Sequence, residues 1–129
     1  MVGEPELKAA IRVAVARMAT ADEGDDDALA ADIAFHLSVL HASGNRFFAQ
    51  LGGVTETALR FSIRMTNRVK GVRRASVPDH KKISDAILAG DPETAETAMR
   101  ALIQEVLDLI EKADGDEHRA KTVKTRASR

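Results

Sequence analysis

The spacing of apolar residues predicts helices along most of the chain. Apolar side chains recur every three or four residues from Pro5 to about Ala21, through a second segment that ends near Ser43-Gly44, and from Arg46 to about Val69. The positions expected to face inward are Leu7, Ile11, Ala14, Val15 and Met18 in the first helix, Leu29, Ile33, Leu37 and Leu40 in the second, and Phe47, Leu51, Val54, Ala58, Phe61 and Met65 in the third.

Two further helices are predicted in the second half of the chain. The fourth begins near Pro78, and the segment Gly90-Asp91-Pro92-Glu93 ends it and starts the fifth, which runs to about Ala113. So short a connection makes these two helices antiparallel. Their inward positions are His80, Ile83 and Ile87, then Ala95, Met99, Leu102, Val106 and Leu109. We therefore expect one helical domain over residues 4–113 and a disordered basic tail over 114–129.

Composition agrees with an all-α protein and excludes several classes of function. Apolar residues make up 44% of the 129 residues but aromatic residues only 3%, so the core must be built from aliphatic side chains and alanine. The formal net charge of −1 gives no general attraction to nucleic acid, and the lack of cysteine excludes disulfides and thiolate chemistry. We find no signal peptide and no apolar run of membrane-spanning length, so we expect a cytoplasmic protein without membrane contact.

The candidate chemistry lies in the second helix, where Asp32 and His36 are four residues apart on one face. A carboxylate and an imidazole in an apolar stripe are costly to bury unless each has a partner. The two residues either hydrogen-bond to each other without any ligand or share a cation with ligands from another helix. His80 is a second imidazole on an apolar face.

A set of polar residues in the third helix also allows two interpretations. Arg60, Arg64 and Asn67 follow one another at the i, i+4 and i+7 positions of one face. They either form a cationic wall beside a pocket or belong to an ordinary solvated face. Within the same helix, the pair Gly52-Gly53 permits a close helix crossing or marks a bend.

In order along the chain, these elements resemble the FCD domain, the C-terminal ligand-sensing domain of FadR-subfamily GntR transcription regulators. The resemblance covers residues 4–113. The residues that carry it are Asp32-x-x-Phe35-His36, Ser43-Gly44-Asn45, His80-x-x-Ile83-x-x-Ala86-Ile87-x-x-Gly90-Asp91, Ala95 and Met99. It implies an antiparallel helical bundle, here of about five helices, that binds a small effector at its centre.

The resemblance also implies a ligand set. FCD effectors are typically small carboxylates such as sugar acids and other organic acids, and many members hold a divalent metal through an Asp and three His. Asp32, His36 and His80 match three of those ligands, while the position of the fourth is Leu102. The metal expected from this donor set is Zn, Ni or Mn. The residues expected to bind the effector are Arg60, Arg64 and Asn67.

Full-length relatives carry an N-terminal winged helix-turn-helix that binds DNA, and this sequence lacks that domain. The leading hypothesis is therefore a sensing and dimerisation domain that reaches DNA only through the missing domain, without catalytic residues. One alternative is a small metal-dependent enzyme that uses Asp32, His36 and His80. Another is a ligand-free helical interaction module.

Overall fold

A computed structural model describes residues 4–24, 26–66 and 77–127. Within these ranges the chain forms six helices and no strand, which confirms the predicted all-α class. The helices are α1 (Glu4–Asp22), α2 (Ala28–Ala42), α3 (Arg46–Gln50), α4 (Gly52–Thr66), α5 (Val77–Leu88) and α6 (Pro92–Ala127). In the part of the chain that is described, no helix is both long enough and apolar enough to cross a membrane.

Local sequence signals set the ends of these helices. The side chain of Asp27 accepts hydrogen bonds from two backbone N–H groups in the first turn of α2, and Asn45 does the same for α3. Gly44 and Gly90 follow helix ends with φ of 69° and 73°, a left-handed conformation that favours glycine. Asp91 accepts from the backbone N–H of Thr94 at 3.1 Å and so caps α6. Asn45 and Asp91 therefore cap the first turns of α3 and α6.

Five of the helices close into a ring around a common interior. α1 packs between α2 and α5, α6 packs against α5, and α4 closes the ring by contacting both α6 and α2. The short α3 joins α2 to α4. Among the described residues, the backbones of α2 and α5 do not approach each other closely. These two helices face each other across the interior, and their side chains must meet there.

The core is aliphatic except for one aromatic ring. Its largest fully buried apolar side chains are Phe35, Ile11 and Ile83. The cluster around them is Ile11, Ala14, Met18, Ala21, Ala31, Phe35, Ile83 and Leu102. It confirms Ile11, Ala14 and Met18 as inward positions of the first helix, while Leu7 and Val15 are half-buried. In α2 the prediction is confirmed only for Ile33, because Ala31 and Phe35 enter the core while Leu29, Leu37 and Leu40 are half-buried. α2 contacts α1, α3 and α4, so a large part of its circumference is at least partly buried. Its leucines lie at the sides of this buried surface.

The predicted third helix is divided in two. Leu51 ends α3 with φ −76° and ψ 1°, and its N–H bonds to the carbonyl of Phe48 rather than one residue further back. Gly52 then begins α4, and a Cβ built at Gly52 would lie 3.6 Å from Leu37 Cδ2. The glycine pair therefore coincides with a break, where low helix propensity favours a change of direction.

The face predicted to be buried in this segment is exposed, and that prediction was wrong. Phe47 is 78% exposed, Val54 68% and Phe61 62%. The side of α4 that turns inward carries smaller or mixed residues, namely Gly52, Thr55, Glu56, Leu59, Ser62 and Ile63. Both sides of α4 carry apolar residues, and the close approach of α2 at Gly52 selects the side with the smaller residues.

The end of the fifth predicted helix also differs. Residues 114–127, expected as a disordered tail, continue α6 as helix to Ala127 with exposed side chains. This stretch is rich in good helix formers, and the polar composition that favoured disorder is equally compatible with a solvated helix. Asn67 and the basic segment Lys70–Ser76 lie outside the described residues.

We expect Ile11→Ala to lower the free energy of unfolding by about 2–5 kcal/mol, because truncation of a fully buried side chain leaves a cavity. Chemical denaturation monitored by circular dichroism measures this change. Val13→Ala on the same helix is the control, because Val13 is 60% exposed and its truncation should change stability by less than about 0.5 kcal/mol. Equal losses in the two variants would contradict the described core.

Candidate metal centre

Two helices bring three ionisable side chains together at the centre of the bundle. Asp32 and His36 project from α2, and His80 projects from α5. The Oδ1 atom of Asp32 lies 3.0 Å from Nε2 of His80 and 3.2 Å from Nε2 of His36. Asp32 and His80 are buried and His36 is nearly so. One carboxylate oxygen therefore serves two imidazoles, and the bond to His80 spans the interior from α2 to α5.

The charge state of Asp32 fixes the direction of both hydrogen bonds. Burial raises the pKa of this carboxyl, but the hydrogen bonds with His36 and His80 and their electrostatic attraction outweigh burial and lower the pKa to about 2. Asp32 is therefore ionised at neutral pH and can only accept hydrogen bonds. It follows that Nε2 of each histidine carries a proton and donates it to Oδ1.

A buried aromatic ring packs against both imidazoles. The Phe35 ring meets His36 edge to face at a centroid distance of 5.3 Å and His80 at 5.0 Å, and the two imidazoles lie 5.4 Å apart. Phe35 is part of the sequence motif, but no role was predicted for it. Its spacing is the signal, because Phe35 follows Asp32 by three residues and so lies on the same side of α2.

The three ligand atoms suit a divalent transition metal. They lie within 4.8 Å of one another, and the separations of 3.0 and 3.2 Å from Oδ1 to the two Nε2 atoms are near the distance of about 3.3 Å between ligands on a tetrahedral zinc. One carboxylate oxygen and two imidazole nitrogens are a donor set for zinc, nickel or manganese. The structure thus confirms that Asp32, His36 and His80 form a group with metal-binding spacing.

Leu102, the position at which the FCD resemblance implies a fourth ligand, carries an apolar side chain. Leu102 is 9% exposed and belongs to the same core cluster as Phe35 and Ile83. His80 and Leu102 lie ten and twelve residues on either side of Gly90, so the antiparallel pair of α5 and α6 places them at similar heights. Leu102 therefore closes this side of the interior with a group that cannot coordinate a metal.

Of the residues predicted to bind an effector carboxylate, the two arginines are exposed on α4, unlike the buried three-residue centre. Arg60 donates from Nη2 to Oε1 of Glu56 at 2.9 Å, and both side chains are partly exposed on α4. Arg64 is exposed one turn further along α4. Asn67 lies outside the described residues. The effector role of Arg60, Arg64 and Asn67 stays a prediction.

A groove of about 810 Å³ lies between α5 and α6, and none of Asp32, His36 and His80 lines it. Its apolar lining includes Ala86, Ala98 and Leu102. Four carboxylates and one lysine line it, namely Asp79, Asp85, Glu93, Glu105 and Lys82. Because this lining is mainly anionic, the groove does not suit a carboxylate effector.

The lowered pKa of Asp32 predicts a pH-dependent contribution to stability in the metal-free protein. The contribution is complete above the ordinary carboxyl pKa of 3.8 and is lost as pH falls toward 2, where the folded protein also takes up the proton. We expect the difference in unfolding free energy between the wild type and Asp32→Asn to shrink by about 2 kcal/mol between pH 5 and pH 2. Urea titrations at several pH values measure it, and a pH-independent difference would contradict the shared hydrogen bonds.

Comparison with known proteins shows the family of the chain. The family model of the FCD domain matches residues 2–105. The putative L-lactate dehydrogenase operon regulatory proteins of Escherichia coli (strain K12) and Shigella flexneri are each 31% identical over 105 residues, 78% of this chain. The chain spans 41% of the length of these relatives. No solved structure matches. The chain belongs to the FCD domain family, the effector-binding domains of GntR-type regulators.

Proposed function

We propose that this domain senses a small carboxylate through a divalent metal held by Asp32, His36 and His80. The observation that carries the proposal is the buried Oδ1 of Asp32 shared by two imidazole nitrogens from different helices. A buried carboxylate needs partners, and these partners are themselves metal ligands. Three protein ligands leave coordination positions to which a second molecule can bind.

The metal would be zinc, nickel or manganese, and when bound it would supply a positive charge that attracts an anionic ligand. Asp32 would contribute its carboxylate, and His36 and His80 their Nε2 atoms. Because both Nε2 atoms carry protons in the hydrogen-bonded arrangement, coordination through Nε2 would require each imidazole to lose that proton to solvent and to carry its remaining proton on Nδ1. Phe35 would hold both rings in place while this exchange occurs.

The proposed effector is a small organic acid or sugar acid. Two relatives are named as regulators of an L-lactate dehydrogenase operon, so L-lactate is the first compound to test. A 2-hydroxy acid can offer a carboxylate and a hydroxyl oxygen to an open metal position. We retain Arg60, Arg64 and Asn67 as candidates for the opposite end of the effector, since a guanidinium pairs well with a carboxylate.

In the regulator, the effector would favour one arrangement of the DNA-binding domains over another. It can do so only if it binds the two arrangements with different affinities. We propose that the domain acts as a homodimer and that DNA is contacted by a domain outside this sequence. The family consists of regulator domains, so we propose binding without catalysis.

Elemental analysis of the purified protein tests the metal proposal. We expect about one metal per chain in the wild type and loss of that metal in both His36→Ala and His80→Ala, because each variant removes one of three ligands. His41→Ala is the matched control, because His41 lies on α2 but is exposed. Full metal content in the two ligand variants would contradict the assignment.

The same proteins test effector sensing. L-Lactate should raise the melting temperature of the metal-loaded wild type and leave the metal-free protein and both ligand variants unchanged. The wild type could instead contain no metal and show no change in melting temperature with a panel of sugar acids and organic acids. That result would identify the centre as a purely structural hydrogen-bond network.

Leu102→His should tighten metal binding, because it supplies the fourth imidazole found at this position in other family members. We expect a gain of at least about tenfold, since even an outer-shell partner is worth about 10–100-fold in affinity. Competition with a chromogenic chelator measures the dissociation constant. Leu102→Asn is the control, because it places a polar group at the same buried position without an imidazole. Unchanged affinity in Leu102→His would contradict the alignment of α6 with the family.

A further inference from the structure

The outer side of α6 carries an apolar stripe that the bundle leaves largely uncovered. Ile103 is 49% exposed, Leu107 is 50% exposed, and Ile110 is half-buried. Their i, i+4, i+7 spacing places them on one line along the helix. We call these three residues the outer stripe. They are distinct from the inward positions of α6, such as Leu102 and Ala113, which are buried.

Charged residues continue the outer stripe in both directions with a definite order. Glu96 and Arg100 precede it at the same helical spacing and pair with each other at 2.9 Å. Asp114, Glu117 and Lys121 follow it, and all five side chains are exposed. From one end of α6 to the other, this line reads acidic, basic, three apolar residues, two acidic residues and one basic residue.

The charged residues at the two ends of this line are complementary when a second helix runs in the opposite direction. With the centre of the pair between Leu107 and Ile110, each residue meets the one equally far from the centre. Leu107 then meets Ile110 of the second copy, and Ile103 meets Asp114. Beyond them, Arg100 meets Glu117 and Glu96 meets Lys121. A parallel pair would instead place Glu96 against Glu96 and Arg100 against Arg100, which is repulsive.

We propose that α6 pairs with α6 of a second copy of this chain, antiparallel and around a two-fold axis. Such a contact is isologous, because both copies present the same surface. α6 is 36 residues long, about 54 Å, and its residues 114–127 have exposed side chains. A helical segment as short as residues 114–127 is marginal in water by itself, and a partner helix stabilises it. The inference specifies the surface of the proposed dimer and does not depend on metal or effector.

The other exposed apolar surface is less suited to a second copy. It includes Phe47 and Phe61 on α3 and α4, and exposed arginines lie beside it at Arg46 and Arg64. A two-fold contact through this surface brings arginines of both copies together. Phe61→Glu therefore serves as the matched control, since it changes an exposed apolar residue outside α6.

Sedimentation equilibrium of the chelator-treated protein tests the proposal. The wild type should sediment as a dimer of the 13.9 kDa chain. Leu107→Glu should raise the dimer dissociation constant at least about 30-fold, because it places a charge at the centre of the contact in both copies. Phe61→Glu should leave the constant unchanged. A monomeric wild type, or a dimer lost in Phe61→Glu and kept in Leu107→Glu, would overturn the assignment.

Charge exchange tests the antiparallel register separately from folding. Arg100→Glu and Glu117→Arg should each weaken the dimer, and the double variant should recover most of the lost affinity because the pair is restored with reversed sign. Circular dichroism confirms that each variant stays helical. A double variant weaker than both single variants would rule out this register. Metal content is measured on the same samples and should not change, so the result is independent of the metal proposal.

Discussion

The shared Oδ1 of Asp32 is the interaction on which the centre of this bundle depends. A carboxylate removed from water is destabilising by itself, and burial alone would raise the pKa of Asp32. Two imidazole N–H groups reverse that effect, one from the same helix and one from α5. Because the backbones of α2 and α5 do not pack closely among the described residues, these two helices are joined by side chains, through the bond to His80 and the packing of Phe35 against the same ring.

This arrangement makes the centre sensitive to what occupies it. The hydrogen bond from His80 to Asp32 sets the distance between α2 and α5 at these two positions, while the bond from His36 stays within α2. A metal held by the same three residues would replace these hydrogen bonds with coordination and would require Nε2 of each histidine to be free of its proton. Any small change in the separation of the ligands would be passed to neighbouring side chains by the close packing around Phe35. A ligand that completes the coordination would bias the bundle by the same route.

Helix ends and the residues that share a helix face could be predicted from the sequence. Contacts between helices could be predicted only to a limited extent. Four-residue spacing places Asp32 and His36 together, and glycine, Asn45 and Asp91 mark helix ends. The meeting of α2 with α5 follows from the family resemblance, since spacing carries no information between helices. The face of α4 was mispredicted because the largest apolar residues, such as Phe61, suggested the buried side. The packing of α2 and α6 against α4 instead selected the side with smaller residues.

The full length of α6 was not predicted, for a related reason. The helix also presents two separate surfaces, one toward the interior and one outward. Polar composition was interpreted as disorder, although a helix that is exposed on most sides has the same composition. Leu102 and Ile103 are consecutive residues, yet one closes the interior beside the Asp32 centre and the other begins the outer stripe. A helix is stiff over this distance, so a movement of α6 against α5 displaces both surfaces together. In the proposed dimer, a ligand that shifts α6 at Leu102 would therefore also shift Ile103 and would link the centre of one copy to the position of the next.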